Sequence, residues 1–459
     1  MTPERLPIAV IGAGPIGLAA AAELVERGLR VKVYEAGRGI AASLRDWGHV
    51  RLFSPWRYDI ADTAARLLTR HGWRAPDPDL LPTGHDLYQR YLEPLSETPE
   101  LAAAIETGAR VQSISRLGID KATSRGAKPF VLSVATSNGS HRRDHARAVI
   151  DASGTWATPN PIGADGLPAD GEAEISDIIA YGIPDLLGRE RAAYIGRTIL
   201  VVGGGHSAAN VLLDLERLKQ TDLSTRILWA TRSASLTRIF GGGTADELPA
   251  RGELGTRLKT IVENRRVELV AGFSATAMRE AQTGKAIVQG ETANGRHDIG
   301  PVDRIVVATG QRPDPTLTRE LRLELDPWLE STKALGPLID PNVHSCGTVP
   351  PHGYRELAHP EPGFYTIGVK SYGRAPTFLL LTGYEQARSV VAAIAGDYRA
   401  ADALRLILPE TGVCSLPDES VAAGGGCCGG PAPEADACCA ADAAAKASGS
   451  DGCGCGVAA

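Results

Sequence analysis

The strongest constraint on this chain is a glycine pattern that it carries twice. The first copy runs from a short apolar segment, Ile8–Ile11, into Gly12-Ala13-Gly14-Pro15-Ile16-Gly17, and then into an alanine-rich stretch over 18–26. Four apolar residues suit a buried strand. The alanine-rich stretch suits a helix that Gly28 stops, and 30–35 reads as the next strand. In a strand–turn–helix of this kind the first glycine allows the tight turn, the second lets backbone approach a pyrophosphate, and the third lets helix and strand pack closely. The helix N-terminus then offers free N–H groups and a positive dipole end to phosphate. Glu35 stands 18 residues after Gly17, at the end of the second strand, where a carboxylate accepts hydrogen bonds from a ribose diol.

The second copy begins with an apolar strand over 199–202, followed by Gly203-Gly204-Gly205-His206-Ser207-Ala208, a helix over 209–218 and a strand over 227–231. Its second strand ends in Thr231-Arg232-Ser233, not in an acid. A carboxylate there would repel a 2′-phosphate, whereas Arg232 and Ser233 would bind one, which favours NADPH over NADH. Two cradles in one chain imply two dinucleotides. Hydride transfer needs one nicotinamide, so the other guest is most economically FAD, and the cofactors carry the hard chemistry. The expected fold is therefore α/β, with two Rossmann-like dinucleotide-binding domains.

The remaining sequence bounds the function. With 459 residues and 43% of them hydrophobic, the chain can fill two or three domain cores. A net charge of −6, with both signs interspersed, argues against nucleic acid as a partner. No apolar run reaches the length of a membrane span, and the N-terminus lacks the pattern of a secretory signal, so a cytoplasmic location is expected. Residues 37–97, rich in Trp, Arg and Pro, read as irregular. Segments 111–117, 130–135 and 148–151 read as strands of a smaller sheet, 303–308 and 364–369 as further strands, and 378–395 as a long amphipathic helix.

With these motifs in place, VIGAGPIGL, DASGTW, VVGGGHSAAN, RIVVATGQRPD and GFYTIG together resemble the two-dinucleotide-binding-domain flavoproteins. Within that superfamily the chain is most similar to the class B flavin monooxygenases and their relatives in bacterial arsenic-resistance gene clusters, over about residues 1–400. The resemblance implies FAD on Gly12, Gly14, Pro15, Gly17 and Glu35, with Gly368 near the flavin. It implies NADPH on Gly203, Gly205, His206, Ser207, Ala208 and Arg232, and linkers at 151–155 and 308–310, the latter including Gly310. The implied domains are 1–160 and 306–410 for FAD, 161–305 for NADPH, and a tail over 411–459. Arg45, His49, Trp56 and Arg57 are candidates for the flavin-facing region, with Arg45 counted among the cofactor contacts.

Departures from the family pattern are informative. The F-x-G-x-x-x-H fingerprint of the monooxygenases is missing before the second cradle, and Val369 stands where an aspartate often follows the late glycine. Residues 1–345 contain no cysteine, which excludes the flavin-adjacent cysteine pairs of the disulfide-reductase branch. The expected enzyme is an FAD- and NADPH-dependent oxidoreductase, monooxygenase-like, acting in metalloid detoxification. Its substrate would be a small molecule or metalloid, with dioxygen as co-substrate and a homodimer left open. No catalytic side chain is singled out.

Beyond about residue 409 the composition changes. Residues 420–459 hold 13 Ala, 9 Gly and 6 Cys, and Tyr398 is the last aromatic. Such a segment buries too little apolar area to offset its ordering entropy, so a flexible tail is expected, with a short helix near 436–446. Its thiols, Cys427, Cys428, Cys438, Cys439, Cys453 and Cys455, are flexible enough to converge on one soft ion. Thiolates select Cu(I) and Zn, and the same softness extends to trivalent arsenic and Hg(II). Capture of metal or metalloid, redox shuttling by the tail with electrons taken from the flavin, and an incidental low-complexity tail are the three readings.

Overall fold

The computed structural model describes residues 5–120, 126–282, 284–344, 349–376 and 378–409. From the N-terminus, β1 (Ile8–Ile11), β2 (Val31–Tyr34) and β3 (Ile105–Glu106) are followed by β4 (Ala109–Arg116), β5 (Phe130–Thr136), β6 (His141–Ala146) and β7 (Ala148–Asp151). Then come β8 (Ile179–Tyr181), β9 (Thr198–Val202), β10 (Arg226–Thr231) and β11 (Glu268–Ala271). Last are β12 (Ser274–Gln282), β13 (Lys285–Thr292), β14 (Gly295–Val302), β15 (Arg304–Val307) and β16 (Phe364–Thr366). The longer helices are α1 (Pro15–Glu26), α2 (His206–Thr221), α3 (Pro249–Glu263) and α4 (Leu380–Ile394).

Two parallel sheets carry the architecture, ordered β16-β7-β1-β2-β3 and β11-β10-β9-β15-β8. Each is covered by helices on one face and by a three-stranded antiparallel sheet on the other, β4-β5-β6 and β12-β13-β14 respectively. Burial on both faces is why the central strands are uninterrupted apolar runs. Alternation then sorts their side chains. In β1, Ile8 and Val10 join α1 and α4 in one core, whereas Ala9 and Ile11 meet Ile114, Leu132 and Val134 of the antiparallel sheet. In β9, Ile199 and Val201 pack on Val211 and Leu215 of α2, whereas Leu200 and Val202 meet Met278 and Val288. Each of the Val, Leu, Ile and Met side chains contributes roughly 1.5–3 kcal/mol by leaving water.

Two expectations are corrected. Segment 148–151, expected in the smaller sheet, is β7 of the first parallel sheet, paired with β1 at Ile8↔Ala148 and with β16 at Phe364↔Val149. All four residues are buried, and a strand with no solvent face belongs at the centre of a two-faced sheet. Its place in the antiparallel sheet is taken by β6, whose polar face is half exposed. Segment 37–97, expected to be irregular, folds into short helices, the longest being Asp62–Arg70. Tertiary packing of Leu67, Leu68, Leu87, Tyr91 and Leu92 on the first core holds turns too short to persist alone. Among the described residues no helix is long and apolar enough to cross a membrane. All eight cysteines, including the six of the tail, and the helix expected near 436–446 lie outside the described residues.

Candidate dinucleotide sites

Both cradles open at the carboxyl ends of parallel strands, where open α/β sheets place their ligands. In the first, Gly12 has φ +96°, and a Cβ there would stand 2.7 Å from the Ala152 carbonyl oxygen. A Cβ on Gly17 would lie 1.9 Å from the Gly12 carbonyl oxygen. These two glycines let the turn close on itself. Gly14 differs, since a Cβ there meets nothing within 4 Å. It is the N-cap of α1, with extended backbone and no capping side chain, and Pro15 opens the helix. The N–H groups of the first turn are left to a ligand.

Glu35, only 8% exposed, locks this loop. Its Oε2 accepts the Ala13 N–H at 2.9 Å and its Oε1 accepts the Gly37 N–H at 2.7 Å. Each oxygen keeps a second lone pair, enough for a ribose diol. Beside the loop, Gly368 has φ +75°, with its Cβ direction 3.3 Å from Ile16 of α1. The Gly368 N–H donates to Gln386 Oε1 at 2.8 Å, and Gln386 Nε2 donates to His352 Nε2 at 3.1 Å. The His352 Nδ1–H meets the Pro350 carbonyl at 3.0 Å, and this network assigns the neutral tautomer. Burial also holds the imidazole below its ordinary pKa.

The second cradle repeats the device. Gly203 has φ +133°, with a Cβ direction only 2.2 Å from the Ala308 carbonyl oxygen, while a Cβ on Gly205 meets nothing within 4 Å. Trp229 Nε1 donates to the Gly203 carbonyl at 2.8 Å and pins the turn. Ala208, in the position of the third glycine, is fully buried. Gly205 caps α2, and His206 and Ser207 open it at the surface. Arg232 is exposed just beyond β10, and its Nη1 donates to the Ala164 carbonyl at 3.0 Å, leaving its remaining donors for a ligand.

Contacts also tie the segments around the two cradles together. Asn160 and Thr309-Gly310 are bonded reciprocally: the Asn160 N–H donates to the Gly310 carbonyl at 2.9 Å and Thr309 Oγ1 donates to the Asn160 carbonyl at 2.8 Å. Phe53, from the helical segment after β2, lies ring to ring with His206, centroids 5.0 Å apart. Of the loop candidates, Trp56 is a core residue, and Arg57 is an exposed partner of Asp79. The Arg45 guanidinium lies 5.3 Å from the Tyr88 ring centroid. His49 is half-buried, with no partner for its Nε2 among the described residues.

Sequence reasoning missed two buried features. Lys370, 7% exposed, pairs with the fully buried Asp151 at 2.8 Å and reaches Ser153 Oγ at 3.0 Å. This cation stands behind the Gly368 loop, next to Val369. Asp59 is fully buried: Ser54 Oγ donates to its Oδ1 at 2.7 Å, and its Oδ2 has no partner among the described residues. Burial pushes its carboxyl up to about 7, against the Ser54 hydrogen bond. The partners involved are local in space but unmarked in sequence. Among the described residues no group of His, Cys, Asp and Glu is arranged to hold a metal.

Paired parallel sheets, each with a glycine cradle at its carboxyl edge, define a two-dinucleotide flavoprotein fold. The chain belongs to the pyridine nucleotide-disulphide oxidoreductase family, whose model matches residues 9–334. It is therefore a flavoprotein oxidoreductase, an enzyme. Similar structures include the bacillithiol disulfide reductase Bdr (YpdA) of Bacillus cereus, at 16% identity and a TM-score of 0.63, covering 85% of this chain and 99% of that one. The cadaverine monooxygenase DfoA of Erwinia amylovora, solved with FAD, matches at 14% identity and a TM-score of 0.61, covering 85% and 94%. These likenesses concern the fold. Among curated proteins, a thiamine thiazole synthase of Pyrobaculum neutrophilum is 32% identical over 161 residues, which span 33% of this chain and 57% of that protein.

Proposed function

We propose that the first cradle holds FAD and the second NADPH, and that the enzyme passes electrons from NADPH through flavin to dioxygen and a small substrate in metalloid metabolism. The FAD domain would comprise 1–160 and 306–410, and the NADPH domain 161–305. The observation that carries the reading is the repeated cradle: in each copy the first glycine is closed against a carbonyl and the second faces open space. Glu35 would take the adenosine ribose of FAD, and Arg232 with Ser233 the 2′-phosphate of NADPH. When bound, flavin supplies the hydride acceptor and the reactivity toward oxygen. The protein supplies orientation: Phe53 against His206 fixes the approach of the two cradles, and Gln386 with His352 holds the Gly368 turn.

The acceptor follows from chemistry the chain lacks. Without a cysteine in 1–345, the cysteine pairs of the disulfide-reductase branch have no counterpart at their usual positions, which leaves dioxygen, a bound substrate, or thiols brought in from elsewhere such as the tail. Cys427, Cys428, Cys438, Cys439, Cys453 and Cys455 would capture the metalloid or present it. The test is NADPH oxidation under air and under argon, with and without arsenite, organoarsenicals or low-molecular-weight disulfides, in the full chain and in a chain ending at Gly412. Oxygen uptake matched to substrate oxidation supports oxygenation. Anaerobic turnover lost on truncation supports the tail as acceptor and overturns the oxygenase reading. A purified chain that takes up no flavin overturns both.

A further inference from the structure

The loop over 163–167 brings three guanidinium groups together. At one end Arg232 bonds the Ala164 carbonyl, as described. At the other, Arg312 and Arg374 arrive from two different segments, and their Nη2 atoms lie 3.6 and 3.8 Å from the point where a Cβ on Gly166 would stand. Gly166 has φ +86° and no side chain, so nothing of its own fills the space before them. Arg312 is held by its linker: its N–H donates to the Thr158 carbonyl at 3.1 Å, and its Nε to Asn160 Oδ1 at 3.2 Å. Arg374 is held by its backbone, which donates to the Leu329 carbonyl at 2.7 Å. Its guanidinium has no hydrogen bond or ion pair among the described residues, and it is exposed. The two carboxylates of these loops are turned to their own backbones. Asp165 accepts the Leu167 N–H at 3.0 Å, and Asp314 accepts the Thr316 N–H at 2.8 Å.

Two cations drawn to one point from separate segments repel each other unless an anion lies between them. The gap suits an oxyanion accepting hydrogen bonds of about 2.9 Å from both, and planar guanidinium matches it better than any other side chain. Arg312 lies two residues past Gly310, on the linker after β15, and Arg374 lies just past the Gly368 loop, so the pair stands between loops of the two sheets.

We propose that Arg312 and Arg374 form a binding site for the oxyanion head of a small organic acid, a carboxylate or an arsonate. This deepens the reading above by naming a substrate class, and as a role in turnover it rests on that reading. The test is calorimetric titration of the full-length, FAD-loaded protein with benzoate and with phenylarsonate, in low-chloride buffer. At least one probe is expected to saturate one site per chain, and the tighter one identifies the head group. Arg374→Gln should weaken binding at least tenfold, Arg374→Lys less, and Arg232→Gln should leave it intact. No saturable binding by either probe, equal binding by Arg374→Gln, or loss confined to Arg232→Gln overturns the site. Flavin content per chain is measured in parallel, so failure of the flavin reading is seen separately from failure of the anion site.

Discussion

The sharpest physical test lies at Asp59. Its carboxyl is buried completely, receives one hydrogen bond from Ser54, and has a pKa of about 7 against 3.8 in the free residue. Between those values the folded chain keeps a proton that the unfolded chain has released. Stability is then greatest at low pH, falls as pH rises, and stops falling above about 7. At 1.36 kcal/mol per unit, with the slope halving as pH reaches 7, the loss between pH 5 and pH 7 is about 2 kcal/mol. Asp59→Asn cannot ionise and removes this slope. The amide carries its own cost of about 1–3 kcal/mol for a buried donor without a partner, but that cost is the same at every pH. The variant should therefore gain roughly 3 kcal/mol relative to wild type between pH 5 and pH 8, whatever its starting offset. Urea unfolding followed by tryptophan fluorescence at constant ionic strength measures the difference. Curves for the two proteins that stay parallel within about 0.5 kcal/mol across that range would show that burial does not hold the proton, and the reasoning would be refuted.

The glycines separate shape from ligand contact. Gly17→Ala drives a methyl to 1.9 Å from a backbone oxygen, so the chain should lose several kcal/mol and purify without yellow colour. Gly14→Ala enters open space and should keep its unfolding midpoint while binding FAD about tenfold or more weakly, as read by flavin fluorescence. Lys370→Met leaves Asp151 charged in the core without its counter-charge, held only by Ser153 among the described residues, at a cost of about 3–5 kcal/mol in denaturant unfolding, and Lys370→Met with Asp151→Leu should recover most of it. Arg232→Ala should raise KM for NADPH about tenfold or more and leave KM for NADH nearly unchanged; equal effects on both would remove the 2′-phosphate from that position.

What could be read in advance was what local chemistry dictates. A glycine that must close a turn and a glycine that must face a phosphate look alike in sequence, but their spacing after a strand does not, and both cradles stand where that spacing puts them. Segment 148–151 shows the limit. Its three apolar residues before Asp151 say only that both faces are buried, and the partner that decides the sheet is Ile8, some 140 residues away. The short helices of 37–97 escaped for a different reason. Pro55, Pro76, Pro78, Pro82 and Pro94 cut most of it into pieces too short to show a period, although Ala64, Leu67 and Leu68 do mark the helix Asp62–Arg70, and packing stabilises the rest. The pairs Lys370–Asp151, Arg251–Asp246 and Arg116–Glu361 are buried charges that look like surface residues in sequence, since only the fold removes them from water.

The two cradles share a mechanism of closure, yet they differ in how firmly they are built. In the first, Ala13, Ile16 and Gly17 are buried, Glu35 ties both sides of the loop through its two oxygens, and the Gly368 turn presses on Ile16 from behind. A guest there replaces little of the existing hydrogen bonding and meets a preformed surface, which lowers the ordering cost of binding. In the second, Gly204, Gly205 and His206 are exposed, no carboxylate ties the loop, and Arg232 spends one donor on the Ala164 carbonyl while keeping the others in water. A guest there must order its own contacts, so it binds less tightly and leaves sooner. An oxidoreductase cycle needs that asymmetry: one carrier retained through every turnover and one exchanged at each. On the proposed reading the buried cradle is the flavin's and the open one the nicotinamide's, and the difference in burial supports that reading independently of the glycine motifs.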